Sequence, residues 1–129
     1  MGKIRIVIVD DNREFREVLE MLLPRRFDVI VAGSHADPET ALAELRKCGP
    51  DIVLVDYKMP GMNGIEFIRE TRSLAKPPRA FLISFQALPA LCDAARDAGA
   101  AGVLSKTDVE RDLAPHLPTR PQAPQRQHT

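Results

Sequence analysis

Several things are missing from this chain, and each absence removes a class of function. Eighteen basic residues face eighteen acidic ones, so no excess charge argues for direct nucleic-acid binding or a membrane surface. No apolar run approaches the roughly 18 residues that a membrane span needs, and no signal-peptide pattern stands at Met1-Gly2-Lys3. The two cysteines, Cys48 and Cys92, lack metal-ligand spacing and each sits in a helical pattern. Reduced, partly buried thiols of a cytoplasmic protein are the expectation. No internal repeat is evident, and neither a Gly-rich phosphate loop nor a G-x-G-x-x-G run occurs.

What is present suits a single domain. An apolar share of 44% and a charged share of 28% over 129 residues are ordinary for a soluble globular protein, and this length buries roughly two thirds of the unfolded surface. The domain is expected over residues 1–117. From Pro118 to Thr129 the chain is Pro- and Gln-rich without an apolar period, and a disordered tail is expected.

The stretch Asp51–Gly64, DIVLVDYKMPGMNG, organises the rest. Ile52–Val55 is a continuous apolar run, as a strand buried on both faces of a parallel sheet reads. It ends on Asp56, and the Pro- and Gly-bearing run Lys58–Gly64 holds a loop before helical spacing resumes at Ile65. Ile4–Val9 is a second apolar strand ending on acids, Asp10 and Asp11. Asn12 can cap a helix with Phe15, Val18, Leu19 and Leu22 inward, which Pro24 is expected to stop. Val29–Ala32 reads as an edge strand. Asp37-Pro38 opens a helix lined by Ala41, Leu45 and Cys48, ended by Gly49-Pro50. Ile65 and Ile68 seed a third helix, and Ala80–Ile83 is a strand ending on Ser84. Leu88, Leu91, Cys92 and Ala95 mark a fourth helix closed by Gly99. Ala101–Leu104 is a short strand before Ser105 and Lys106. Thr107-Asp108-Val109-Glu110 reads as a capping box opening a short last helix with Val109, Leu113 and Leu117 inward and Pro115 interrupting it. Five strands alternating with five helices predict an α/β fold, a doubly wound parallel sheet covered on both faces.

Ligands of such sheets bind just beyond the carboxyl ends of the strands. Those ends carry Asp10 and Asp11, Asp56, Ser84 and Lys106. In a strand order of 2-1-3-4-5 they stand on consecutive neighbours about 4.8 Å apart. Three carboxylates this close would hold protons unless a cation intervenes. A hard divalent ion, Mg²⁺, matches two of the three charges and Lys106 the third. A carboxylate beside a metal, a hydroxyl and an ammonium can accept a phosphoryl group as an aspartyl phosphate.

At this point the sequence resembles the receiver domain of two-component response regulators, over about residues 3–117. The resemblance rests on Asp10-Asp11, on Asp56 followed by Met59-Pro60-Gly61-Met62-Asn63-Gly64, on Ser84, and on Lys106 after Ala98-Gly99-Ala100-Ala101-Gly102. It implies a flavodoxin-like fold phosphorylated on Asp56 by a histidine kinase or phosphotransfer protein. It also implies Mg²⁺ held by Asp11, Asp56 and the backbone carbonyl of Lys58, with Asp10 reaching it through water. The Ala98–Lys106 stretch is most similar to the subgroup usually joined to a helix-turn-helix output domain; none follows here, and a stand-alone receiver signalling to an output protein is the expectation.

Two positions depart from the family pattern. Receivers commonly carry an aromatic three residues before the lysine, where this chain has Val103, and a small residue after the Ser/Thr, where it has Phe85. Phe85, Gln86 and Val103 are therefore the candidate switch and tuning positions. Phe85 is expected to pack in the core beside the smaller Val103; the alternative is that it crowds the entrance. Lys106 is followed by Thr107 rather than proline, so no cis bond is expected there. The output surface is expected on the fourth helix, fifth strand and last helix, with a second copy of the chain among its candidate partners. A degenerate receiver binding partners without phosphate is the competing reading. A phosphatase would need an acid two residues after Asp56, where Lys58 stands, so no enzyme beyond self-phosphorylation and dephosphorylation is expected. His35, His116 and His128 are expected at the surface.

Overall fold

A computed structural model describes residues 3–118, so the predicted tail from residue 119 onward lies outside the described residues. The elements, in chain order, are β1 (Ile4–Val9), α1 (Arg13–Arg26), β2 (Val29–His35), α2 (Pro38–Lys47), β3 (Ile52–Asp56), α3 (Gly64–Thr71), β4 (Arg79–Ser84), α4 (Pro89–Ala98), β5 (Gly102–Ser105) and α5 (Val109–Leu113). All strand pairs are parallel and the order is β2-β1-β3-β4-β5, as expected for the flavodoxin-like arrangement.

Successive strand residues point to opposite faces, which explains why the inner strands are apolar throughout. Ile6, Ile8, Ile52, Leu54, Phe81 and Ile83 pack under α1 and α5, with Leu19, Leu23 and Leu113. Val7, Val9, Val53, Val55, Ala80 and Leu82 face α2, α3 and α4, with Leu42, Phe67 and Ala95. Each fully buried aliphatic side chain contributes about 1.5–3 kcal/mol of transfer free energy. β3 is central, and all five of its residues are buried, so Asp56 ends the least movable strand of the sheet.

Four details differ from the sequence expectation. α1 runs through Pro24 to Arg26 and closes with Phe27 N–H donating to Leu23 O at 2.9 Å. A proline loses its own donation to the carbonyl four residues back and its ring crowds that carbonyl, a cost offset here by the wholly buried Leu23 and Phe27, which hold the last turn against the sheet. The buried stripe of α1 follows Leu19, Leu23 and Phe27, so Val18 is 45% exposed instead of inward. β2 extends to His35. Its pairing with β1 steps from Ile6↔Val31 to Val7↔Gly33, leaving Ala32 as an extra residue, a bulge suited to an edge strand. Finally, no side chain caps α5 at Asp108. Thr107 Oγ1 instead pairs with Ser105 Oγ at 3.0 Å and donates to Asp108 Oδ2 at 3.1 Å, while Asp112 Oδ2 accepts from Ser105 N at 2.8 Å. A 3₁₀ turn over Ala114–His116 absorbs Pro115.

Candidate phosphoryl-acceptor site

Each strand end is anchored by its own backbone bonds. Asp10 N–H donates to His35 O at 3.0 Å, continuing the pairing of β1 with β2. Its carbonyl accepts from Arg16 Nη1 at 2.6 Å and its Oδ1 from Asn12 N at 2.8 Å. Asn12 in turn caps α1 by accepting from Phe15 N at 3.0 Å. Asp10 is therefore wholly buried and pinned, whereas Asp11, one residue on, is exposed. Lys106 N–H donates to Ser84 O at 2.8 Å, tying the end of β5 to the end of β4.

The loop after Asp56 closes through Tyr57 N–H to Ile83 O at 2.9 Å and Gly64 N–H to Tyr57 O at 2.8 Å. A Cβ at position 64 would collide with the Asp56 carbonyl oxygen and stand 2.6 Å from Leu82 Cδ1. Only glycine permits this approach. Asn63 and Glu66 form a reciprocal capping box on α3, at 2.9 and 3.0 Å. Neither feature was read from the sequence, although Asn63-x-x-Glu66 carries the box's spacing.

The site is dominated by charge. One carboxylate oxygen from each of Asp10, Asp11 and Asp56 lies within 4.8 Å of the other two. Lys106 Nζ stands 3.0 Å from Asp10 Oδ2 and 3.5 Å from Asp56 Oδ1. Burial, then the neighbouring Asp10 charge, pushes the Asp56 carboxyl up to about 6, with Lys106 opposing the rise and Asp11 adding to it.

Asp11, Asp56, Lys58, Ser84, Gln86 and Lys106 line one cleft of about 880 Å³, with Phe85 on its wall. The expected strand-end residues are thus brought together, Asp10 lying behind the others. The Ser84 hydroxyl donates to Gln86 O at 3.0 Å and accepts from Gln86 N at 3.3 Å, so it is engaged with its own loop.

Phe85 is not core packing. It is 71% exposed, because the sheet ends at Ser84 and no helix covers the next residue. Its ring lies 5.2 Å from Lys106 Nζ. Val103 is half-buried against the cluster under α3 and α4. Two histidines also depart from expectation. His35 Nε2 is buried without a hydrogen-bond partner, and His116 is half-buried, edge-on to Phe81 at 4.8 Å. His128 lies outside the described residues. The thiols of Cys48 and Cys92 are free and partly buried, and no cis peptide bond occurs among the described residues.

The family model described as the response regulator receiver domain matches residues 6–117. The chain belongs to this family. It is 37% identical over 111 residues to the probable transcriptional regulatory protein NarL of Mycobacterium tuberculosis (strain ATCC 25618 / H37Rv), covering 86% of this chain and 51% of that protein. It is 35% identical over 111 residues to a protein-glutamate methylesterase/protein-glutamine glutaminase of Rhodopseudomonas palustris (strain ATCC BAA-98 / CGA009), covering 84% of this chain and 30% of that protein. The receiver thus spans about half or less of the length of these relatives. The structure of the signal receiver domain of the putative response regulator NarL from Mycobacterium tuberculosis superposes with a TM-score of 0.76 at 36% identity, covering 88% of this chain and 95% of that one.

Receiver domains generally bind Mg²⁺ at an acidic pocket, and this receiver's residues fit such an ion. Asp10 Oδ2 is buried and accepts no well-aligned hydrogen bond among the described residues, and of three clustered carboxylates the Lys106 ammonium pairs with two, Asp10 and Asp56. A hard, all-oxygen donor set with surplus negative charge suits a small dication. No helix among the described residues is long and apolar enough to cross a membrane.

Proposed function

We propose that this receiver accepts a phosphoryl group on Asp56 from a phosphohistidine of a histidine kinase or phosphotransfer protein, in the cytoplasm, and signals through protein–protein contacts. The observation that carries this reading is the juxtaposition of Asp56 with Asp11 and the Lys106 ammonium in one cleft, the buried Asp10 behind them.

An Asp56 carboxylate oxygen bonds to phosphorus as the bond from phosphorus to the donor imidazole nitrogen breaks. The electron pair stays on that nitrogen, which takes up a proton. Asp11, Asp56 and the Lys58 carbonyl are the residues to hold Mg²⁺, with Asp10 behind them. When bound, the ion neutralises the acids and offsets charge on the transferring oxygens. Lys106 supplies the remaining positive charge, and the Ser84 hydroxyl turns from Gln86 to donate to a phosphoryl oxygen. The receiver does no chemistry beyond its own phosphorylation and dephosphorylation. Its output face is α4, β5 and α5, with a separate output protein or a second copy as partner.

Incubation with phosphoramidate and Mg²⁺ should add one phosphoryl mass, and Asp56→Asn should abolish it. An adduct that persists in the variant removes Asp56 from the role. Absence of any adduct on the parent chain would favour a phosphate-independent binding module, the reading to which the Ser84–Gln86 contacts lend support.

A further inference from the structure

Beyond the charged residues, two rings face the Lys106 ammonium. Nζ lies 4.8 Å from the ring centroid of Phe15, in the first turn of α1, and 5.2 Å from that of Phe85, in the loop after β4. Both distances fall inside the roughly 6 Å within which a ring's negative face attracts a cation. The Lys106 side chain is only 9% exposed, so the contact is made where water competes little. Phe85 by contrast is 71% exposed. Burial of its own ring does not account for its place, whereas attraction to the ammonium does.

We propose that Phe15 and Phe85 form an aromatic clamp on Lys106, which makes them positioning residues for the charge partner of the transferred phosphoryl group. The inference rests on the reading of Asp56 as phosphoryl acceptor. The clamp does what the carboxylates cannot. Asp10 and Asp56 hold the ammonium only while they are uncompensated, and a dication on the acids weakens both attractions. The rings carry no net charge, so their hold on Lys106 survives that neutralisation. The ammonium then stays at the mouth of the cleft when phosphoryl oxygens arrive. Leucine at either position would keep the apolar volume and lose the attraction.

The test uses the full chain with Phe85→Leu, Phe15→Leu and Phe85→Tyr, read in two ways. Protons over a ring face are shifted upfield, so the Lys106 Hε resonances should move downfield in Phe85→Leu and Phe15→Leu and stay near the parent positions in Phe85→Tyr. Phosphorylation by phosphoramidate with Mg²⁺ should slow by about twofold to thirtyfold in each leucine variant, and Phe85→Tyr should keep the parent rate. Phe85 is exposed, so its replacement leaves folding intact. Unmoved Hε resonances in Phe85→Leu overturn the clamp, as does phosphorylation of that variant at the parent rate or faster, which would make Phe85 an obstruction. A parent chain that gains no phosphoryl mass overturns the acceptor reading instead, and the Hε shifts, which need no phosphate, still decide whether the clamp exists.

Discussion

Lys106 is paired first with Asp10: their Nζ and Oδ2 atoms are 3.0 Å apart, and the Asp10 side chain is fully buried. Removing one partner of a buried pair leaves the other charge uncompensated, at a typical cost of about 3–5 kcal/mol. Lys106→Met should therefore lower stability to urea by about 3 kcal/mol or more in metal-free buffer. Adding Asp10→Asn should recover part of the loss, and a strictly additive double variant would show that the two are not coupled.

The raised Asp56 carboxyl makes a signed prediction. It moves from 3.8 to about 6 on folding, so the folded state binds the proton more tightly than the unfolded one. The stability this contributes is full below about pH 4, declines as pH rises and is gone above about 6. A shift of about two units corresponds to about 3 kcal/mol. In EDTA, Asp56→Asn should match the parent near pH 4 and exceed its stability by up to that amount near pH 7.5, and Mg²⁺ should narrow the gap. A difference that does not vary with pH would contradict the burial and Asp10 repulsion assigned to Asp56.

Metal affinity should separate the neighbouring acids. Asp11 is exposed beside the cleft, while Asp10 already serves Asn12 N and Lys106. In a Mg²⁺ titration followed by amide shifts, Asp11→Asn should weaken binding more than Asp10→Asn. An equal or reversed ranking would exchange their roles.

Gly64→Ala should disturb the acceptor from behind. The added methyl meets the Asp56 carbonyl and Leu82, and overpacking of this kind costs about 1–3 kcal/mol. The amide resonances of Asp56 and Tyr57 should shift, and a variant with parent stability and unchanged shifts would refute the close approach.

Beryllofluoride, a phosphoryl mimic, should move the backbone amides of Ser84–Cys92 and of neighbouring β5. Ser84 must abandon Gln86 and Lys106 must turn from Asp10, and such a switch works only through contacts that differ between two states. Phe85 moves together with Lys106 in this scheme, its ring staying on the ammonium, while Val103 stays packed. Binding of the mimic without a response in those residues would leave the switch without support.

Much of the site was legible because its signals are local. Asp56, Ser84 and Lys106 follow apolar runs that can only be buried strands, and strand order then makes neighbours of their ends. Phe85 lies outside the core that its apolar side chain predicts, because the sheet stops one residue earlier. Nothing in Phe15's own turn of helix announces the lysine ninety-one positions away (106 against 15). The Thr107 box failed because Ser105 and Asp108 competed for the same hydroxyl.

By itself the sequence determined the sheet, its covered faces and the acids at its rim, because apolar periodicity and turn residues act over a few positions. Tertiary structure alone decided that Asp10 rather than Asp56 takes the nearer place at Lys106, that α1 passes Pro24, that His35 Nε2 is buried and that two phenylalanines face one ammonium. These depend on which distant side chains share a low-dielectric space, where packing and desolvation, summed over elements far apart in the chain, override what each residue prefers alone.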